Sequence, residues 1–545
     1  MKKSVSLLTR FLLPLIFICL PFFLACYFTE NVFLRILAIA IALGSAYVYK
    51  TGAHREEFNW DSRLQRAVFA FAMALLILFS FFLCTVSIEK EWLHEYPLKG
   101  SVDDYGCYPQ MFDAFQKGQL NIDTDYDLSI LENLENPYDT AERREATGEK
   151  YGVIWDRAFY DGKLYSYFGI APVIFLYYPA YFLTGYVLSD ALAAAIMTAL
   201  AAVLMLKLLI ELCKRMKNKP PFLLTVVCGL TLPCGALLWT TEVNANFYHL
   251  AVLSGICAIC AFFLYVLKAD SCADGWKRKI NFAIAGVCVA ATVASRPNLV
   301  IYILIAFPLL FSIIKNRPFG VRSLVYDIIA FSAPMLALGG LIMAYNAARF
   351  GSPFDFGANY QLTITDTSTY SLSATLALPA MYHFFFQTPI FDGEFPFLHP
   401  NAARLDSYNV HRTVYISHSV GSFFFPITWG AGAIGLLWKE SKRKFIAAAI
   451  AILCVLFMVV FDLCFGGVHL RYSADIMFVL TILGAYLSLS AVSRAKNGST
   501  LYISLYTAVI VLCLVTVLVA LPLIFDNERD MIFKYHKHFY NLIKS

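Results

Sequence analysis

Apolar runs separated by short polar breaks dominate the chain. They fall at 11–28, 32–49, 67–87, 188–212, 222–241, 247–268, 280–295, 299–314, 324–345, 420–438, 445–464, 473–492 and 500–525. As helices rising 1.5 Å per residue, such runs match a bilayer hydrocarbon core of about 30 Å. The pattern predicts an all-α polytopic membrane protein of about 13 transmembrane helices. The first run follows Met1-Lys2-Lys3, lacks a small-x-small cleavage site and is followed at once by another run. It is read as a retained helix rather than a secretory signal. One apolar stretch resists a full crossing. Residues 167–185, YFGIAPVIFLYYPAYFLTG, contain Pro172 and Pro179. A broken, interfacial or re-entrant segment is expected there, since irregular backbone at membrane depth survives where protein or water covers it.

Composition agrees with the pattern: of 545 residues, 59% are hydrophobic and 15% charged, more apolar surface than a soluble domain hides. Lys and Arg then set orientation. Basic clusters occur at Lys2, Lys3 and Arg10; at Lys50, Arg55, Arg63 and Arg66; at Lys214, Arg215, Lys217 and Lys219; and at Lys277, Arg278 and Lys279. They recur at Lys315, Arg317 and Arg322; at Lys439, Lys442, Arg443 and Lys444; and at Arg494 and Lys496. Placing all of them in the cytoplasm gives one consistent map, with the N-terminus inside and the C-terminus outside. Two long segments then face outward. Residues 88–165 carry 17 acidic residues against 8 Lys and Arg, and residues 346–418 are rich in aromatics, Ser, Thr and Pro. The predicted organisation is an N-terminal hairpin with its basic loop (1–66), a transmembrane core (67–345) holding an outer loop (88–187), a second outer segment (346–418), and C-terminal helices with a short outer tail (419–545).

The inner loops are short and carry neither a phosphate-binding loop nor a dinucleotide fingerprint, so any chemistry faces outward. The cysteines are mostly inside apolar runs, where they are small hydrophobes. In SVDDYGCYPQ, Asp103 and Asp104 follow the third apolar run, and an amphipathic surface helix is expected just after them, ended by Gly118. An acidic pair at a helix exit is also what plain solvation or capping would place there. WDRAFYDGKLYSYFGIAP (155–172) interleaves Asp156, Tyr160, Lys163 and Tyr165 with further aromatics. Aromatic faces cover sugar C–H surfaces and carboxylates bind hydroxyls, although an interfacial aromatic belt has the same look. Ionisable groups near membrane depth are functional candidates by default. Glu242, with His249 seven residues on, is a two-ligand candidate for a divalent metal. Arg296, Arg349 with Asp355, and Arg471 with His469, Tyr472 and Asp475 lie at outer helix ends. The planar guanidinium fork suits phosphate, while a snorkelling arginine is the plain alternative. Arg471 ranks first among the three.

The order of these features resembles the GT-C superfamily of integral membrane glycosyltransferases. An acidic motif ends a helix, a surface helix follows, and then come a proline-bearing stretch and a helix ending in Lys214-Arg215. YDGKLYSYFGIAP (160–172), RFGSPFDFGANYQ (349–361) and HLRYSAD (469–475) resemble a bacterial branch of it. Two helices precede the ones that match, and Tyr108 lies four residues past Asp104, where the family places a tyrosine at three. The resemblance implies an enzyme of the cytoplasmic membrane whose site faces outward. It would transfer a sugar from a polyprenyl phosphate to a cell-envelope glycan, lipid or protein, with inversion. Asp103 is implied as general base, Asp104 as second choice, and Tyr108 with the arginines as substrate contacts. Its partners are the lipid-linked sugar, the acceptor and membrane lipids, without nucleic acid. The alternative is a transporter or flippase of lipid-linked glycans. Transporters place charges at mid-membrane and repeat their halves; here charges gather at one face and no internal repeat is evident.

Overall fold

The computed structural model describes residue 52 and residues 55–88, 106–147, 156–243, 246–316, 318–363, 366–393, 396–401 and 419–525. The expected hairpin at 11–49 and the pair Asp103 and Asp104 lie outside the described residues. Within them, ten helices are long and apolar enough to cross a membrane. In chain order, α1 (Arg63–Ile88) leads to a surface helix α2 (Cys107–Gln116) and a short α3 (Tyr178–Thr184). The spans continue with α4 (Asp190–Lys214), the broken span α5 (Phe222–Gly235) and α6 (Leu238–Val243), α7 (Phe247–Ser271) and α8 (Trp276–Ser295). A 3₁₀ segment, Pro297–Ala306, runs into α9 (Phe307–Asn316), followed by α10 (Gly320–Phe350), α11 (Lys442–Phe465), α12 (Leu470–Arg494) and α13 (Thr500–Phe525). The protein is a multi-pass helical membrane protein.

Local chemistry starts these helices where the sequence places them. Ser189 accepts from Leu192 N at the start of α4, Asp190 lies in its first turn and Lys214 in its last, each favourable to the cap or the helix dipole. Asn246 caps α7 through Tyr248 N and His249 N.

The basic clusters meet at one end of the bundle. Phe58 N donates to Pro220 O at 2.8 Å, and Lys214 sits 4.2 Å over the Trp60 ring. Lys444 Nζ donates to Arg215 O at 3.0 Å, Arg443 to Ser312 Oγ at 2.7 Å, and Lys279 Nζ to Ser323 Oγ at 2.9 Å. Arg494 pairs with Glu440 at 3.0 Å, and Asn497 donates to Arg55 O. The polar outer segments gather at the opposite, far end.

Lipid tails are as apolar as leucine, so packing between spans relies on close approach of small residues. Gly484 of α12 is an example: a Cβ there would sit 2.2 Å from Ile427 O. α12 is accordingly central, with 83% of its apolar window buried, whereas α10 has 6% buried and lies at the periphery.

Two expectations are corrected here. The run at 420–438 is not a continuous membrane helix. It folds as a 3₁₀ segment, Pro426–Ile434, and a short helix, Gly435–Glu440. PITWGAGAI is too glycine-rich to favour regular helix, and Ile427 already rests on Gly484, fourteen residues into α12. The all-α expectation also omits two small antiparallel pairs: β1 (Ala158–Tyr160) with β2 (Lys163–Tyr165), and β3 (Ile390–Phe391) with β4 (Leu398–His399). Residues 167–185 do form a broken segment. A π-helical turn, Val173–Tyr177, passes into α3, where Phe182 and Leu183 are exposed to 79% and 85%.

Candidate functional site

The far end is built around the β1–β2 hairpin. Asp161 (φ 49°) and Gly162 (φ 67°) make its two-residue turn, both in the left-handed region that such a turn requires. The strand edge extends across to the second outer segment. Asp156 N donates to Leu362 O at 2.9 Å, and Leu362 N donates to Arg157 O at 2.8 Å. Arg143 and Thr140 both reach Thr363 O. The two segments that sequence treats separately are therefore one layer over the helix ends.

Asp156 sits at the inner edge of this layer. It adopts φ 58° and is 4% exposed. Burial pushes its carboxyl up to about 6, against the Thr363 hydroxyl and the Arg471 and Arg157 guanidinia, which lower it. Beside it, Arg157 Nε and Nη2 both donate to Gln110 Oε1 of α2, at 2.9 and 2.7 Å. The surface helix is thereby tied to the layer.

The start of α12 supplies a cation that acts on this carboxyl. Arg471 is clamped between two rings, its guanidinium carbon 4.5 Å from the Tyr248 centroid and 4.9 Å from that of Tyr472. Its Nη2 reaches Tyr472 Oη at 3.4 Å, and its Nε is buried without a hydrogen-bond partner among the described residues. Arg296 differs. Its Nε donates to both carboxylate oxygens of the fully buried Asp475, at 3.0 and 2.8 Å, and Nη2 donates there too. Asp475 is fixed further by Tyr302, whose hydroxyl donates to its carbonyl at 2.8 Å. Behind this pair, Asn298 Nδ2 donates to Asp462 Oδ1 at 3.2 Å, and Asp462 Oδ2 is buried with no hydrogen bond.

The remaining candidates divide by what they touch. Arg349 donates to Ser166 O and, at 2.9 Å, to Asn346 Oδ1, and it stacks on Tyr345 at 3.8 Å. Its fork fastens the chain after β2 to the end of α10. Asp355 accepts from Gly357 N and from the Tyr360 hydroxyl at 2.9 Å, which orders its own turn. Tyr160 and Tyr165 pack on Phe350, with Tyr160 also 4.7 Å from the Tyr360 ring. Lys163 is exposed on β2. His469 stands at the N-cap of α12, edge-on to Tyr472 at 5.5 Å. Tyr108 is 0% exposed, stacked on Tyr177 beneath α2. That burial places it in the core and not on a substrate-facing surface.

Glu242 and His249 do not assemble a metal cage. His249 Nδ1 is 2.7 Å from Asn246 Oδ1. Glu242 is fully buried near Thr198, and neither oxygen meets hydrogen-bond geometry. No group of three His, Cys, Asp or Glu side chains converges among the described residues, fewer than a metal site normally uses.

Sequence reasoning passed over Asp462 and the β1–β2 hairpin. Asp462 is the lone acid in the apolar run FMVVFDLCF, itself a signal. Asp161-Gly162 between aromatic residues is the usual dipeptide of a tight hairpin.

No protein-family model matches the chain, and no curated protein matches it significantly. Two solved structures are similar to it at low level. One is ArnT from Cupriavidus metallidurans bound to undecaprenyl phosphate, at 11% identity and a TM-score of 0.39, over 83% of this chain and 75% of that one. The other is the Archaeoglobus fulgidus oligosaccharyltransferase tethered to an acceptor peptide containing the NVT sequon. It has 11% identity and a TM-score of 0.39 over 89% of this chain, which spans 59% of that protein's length.

Proposed function

We propose that the protein is a membrane glycosyltransferase that moves a sugar from a polyprenyl phosphate to a cell-envelope glycan, lipid or protein on the outer face of the cytoplasmic membrane. The observation that carries this reading is Arg471: a guanidinium with an unpaired Nε, clamped between Tyr248 and Tyr472, whose charge acts on the buried carboxyl of Asp156. Arg296 is occupied by Asp475 and Arg349 by Ser166 and Asn346. Arg349 Nε is buried without a partner as well, but both Nη groups of Arg349 are used, whereas Arg471 makes only the 3.4 Å contact to Tyr472. Arg471 is thus the cation of the three with the most donor capacity left for a lipid phosphate, in a bilayer-end setting where such a contact is strong.

The chemistry follows from charge. The acceptor hydroxyl loses its proton to a carboxylate as its oxygen bonds to the anomeric carbon. The bond from that carbon to the phosphate oxygen breaks, and the electron pair leaves on the phosphate. The growing negative charge is what Arg471 stabilises. Asp103 is the proposed base and Asp104 the second candidate, both a few residues before α2 in the sequence. Asp156, ionised above about pH 6, is the proposed acceptor for hydroxyls of the bound sugar. Attack opposite the leaving phosphate inverts the anomeric centre.

The test is turnover of the purified full chain in liposomes with a panel of polyprenyl-phosphate sugars. Wild type is expected to consume one of them. Asp103→Asn is expected to lower turnover at least about 100-fold, within the range general-base catalysis supplies. Wild-type rates in both Asp103→Asn and Asp104→Asn remove the assignment of the base. Movement of the lipid-linked sugar across the bilayer without its consumption removes the enzyme reading altogether.

A further inference from the structure

A second ligand-sized space has its polar lining at the opposite, basic end and reaches along α12 to Phe478, seven residues from Arg471. It is a cavity of about 450 Å³ between α4, α7, α9, α11 and α12, within the ~300–1,000 Å³ usual for small-molecule sites. Its wall is apolar: Leu212, Val266, Leu309, Ala451, Phe478 and Ile482. Its polar lining consists of Arg215, Asp270, Arg443 and Lys444. Directly adjoining it, and sharing Arg215, is a polar recess of about 380 Å³ lined by Glu211, Lys214, Lys268, Ser271 and Asn281 among others.

The two spaces together are amphipathic. Glu211 is the single carboxylate of the recess and is shared by Lys214 at 2.6 Å and Arg215 at 3.0 Å. Lys268 lies 4.7 Å over the Tyr265 ring. Across both spaces the cations are Lys214, Arg215, Lys268, Arg443 and Lys444, and the carboxylates are Glu211 and Asp270. The cations outnumber the acids beside an apolar hole even when Glu440, which lies outside both spaces and pairs with Lys444, is counted. A soluble anion has no use for the hole, and an uncharged hydrocarbon none for the recess. A ligand that uses both has an anionic head and an apolar tail.

We propose that this end of the bundle binds one anionic phospholipid, its headgroup phosphate at Lys214 and Lys268, beside Arg215, whose donors go to Glu211, Leu267 O and Ser271, and an acyl chain in the adjoining cavity. The basic clusters at this end are those that face the leaflet where anionic lipids attract Lys and Arg. The cavity, half open to the bundle surface, adds what a snorkelling surface cluster lacks, a place for a single chain to be held. The occupied cavity lies against α12 at Phe478 and Ile482, three and seven residues along the helix from Asp475. The lipid therefore braces the helix that carries Arg471.

Native mass spectrometry of the detergent-purified full chain tests this, with phosphatidylglycerol and phosphatidylcholine of identical acyl chains as probes. Wild type is expected to retain one phosphatidylglycerol with about tenfold preference over phosphatidylcholine. The double variant Lys214→Gln and Lys268→Gln is expected to reduce that preference below about twofold. Ala451→Phe, which fills the cavity, is expected to lower retention at least fivefold while its melting temperature stays near wild type. A phosphatidylglycerol carrying a diazirine near the end of its acyl chain is expected to cross-link at Phe478 or Ile482 in the wild-type chain, a readout that needs no variant. Equal retention of the two lipids, or cross-links confined to residues outside the cavity, overturns the proposal. Displacement of the lipid by millimolar inorganic phosphate also overturns it, because then the tail contributes nothing. None of these readouts depends on glycosyl transfer.

Discussion

Arg471 and Asp156 are the residues on which the far-end site turns. Arg471 uses geometry as much as charge: a flat fork between two rings. Arg471→Lys keeps the charge and discards the fork and the stacking. A loss of about tenfold or more in kcat/KM for the lipid-phosphate donor is expected, with the fold intact by melting temperature. Asp156 makes a prediction in pH. Its carboxyl is held near 6 in the folded chain, against about 3.8 when exposed. Folding is thus favoured by its protonated form, and stability falls as pH rises between those two values. Above about 6 the penalty is complete, on the order of 3 kcal/mol for roughly two pKa units. Asp156→Asn removes that penalty, and asparagine tolerates the left-handed backbone found there. The variant should melt higher than wild type at pH 8, with the gain shrinking toward pH 4; an equal gain at both pH values removes burial as the cause. Both residues were legible as candidates because charges at helix ends stand out in an apolar sequence. The contrast between Arg471 and its two fellow arginines was not legible, since it depends on Asp475, Ser166 and Asn346, which come from distant parts of the chain.

Among the elements, the 3₁₀ segment Pro426–Ile434 shows how packing overrides hydropathy. The run reads as a span, yet it starts against the middle of α12. Gly484→Val would drive a side chain into Ile427 O, and overpacking of this kind destabilises by about 1–3 kcal/mol. A drop of several degrees in melting temperature is expected. Gly432→Val, where nothing lies within 4 Å of the added Cβ, is expected to melt like wild type and serves as the control. The β1–β2 hairpin is the opposite case. Its turn dipeptide was present in the sequence, but its partner, Leu362, lies some 200 residues away. Pairing at that separation has no local signature.

At the scale of the whole molecule, the Lys and Arg clusters predict a single basic end, and the contacts among Phe58, Lys214, Arg443, Lys444 and Arg494 gather there. Reporter fusions give the absolute orientation. A fusion near residue 130 is expected to read outside and one near residue 217 inside. The reverse result would turn the proposed site to the cytoplasm.

The amino-acid order alone determined the class of molecule, most of the spans among the described residues and which basic clusters share one end. Those properties follow from hydropathy and helix rise, which act over about twenty neighbouring residues. It also determined where the chemistry-bearing residue types stand. Tertiary structure alone decided which of them meet: Arg296 with Asp475, Arg349 with Ser166, Lys268 with the recess beside Arg215. The reason is physical. A charge at a membrane end takes its role from the counter-charge or ring it is buried against. That neighbour is set by how helices and outer segments pack, and not by anything within reach along the chain.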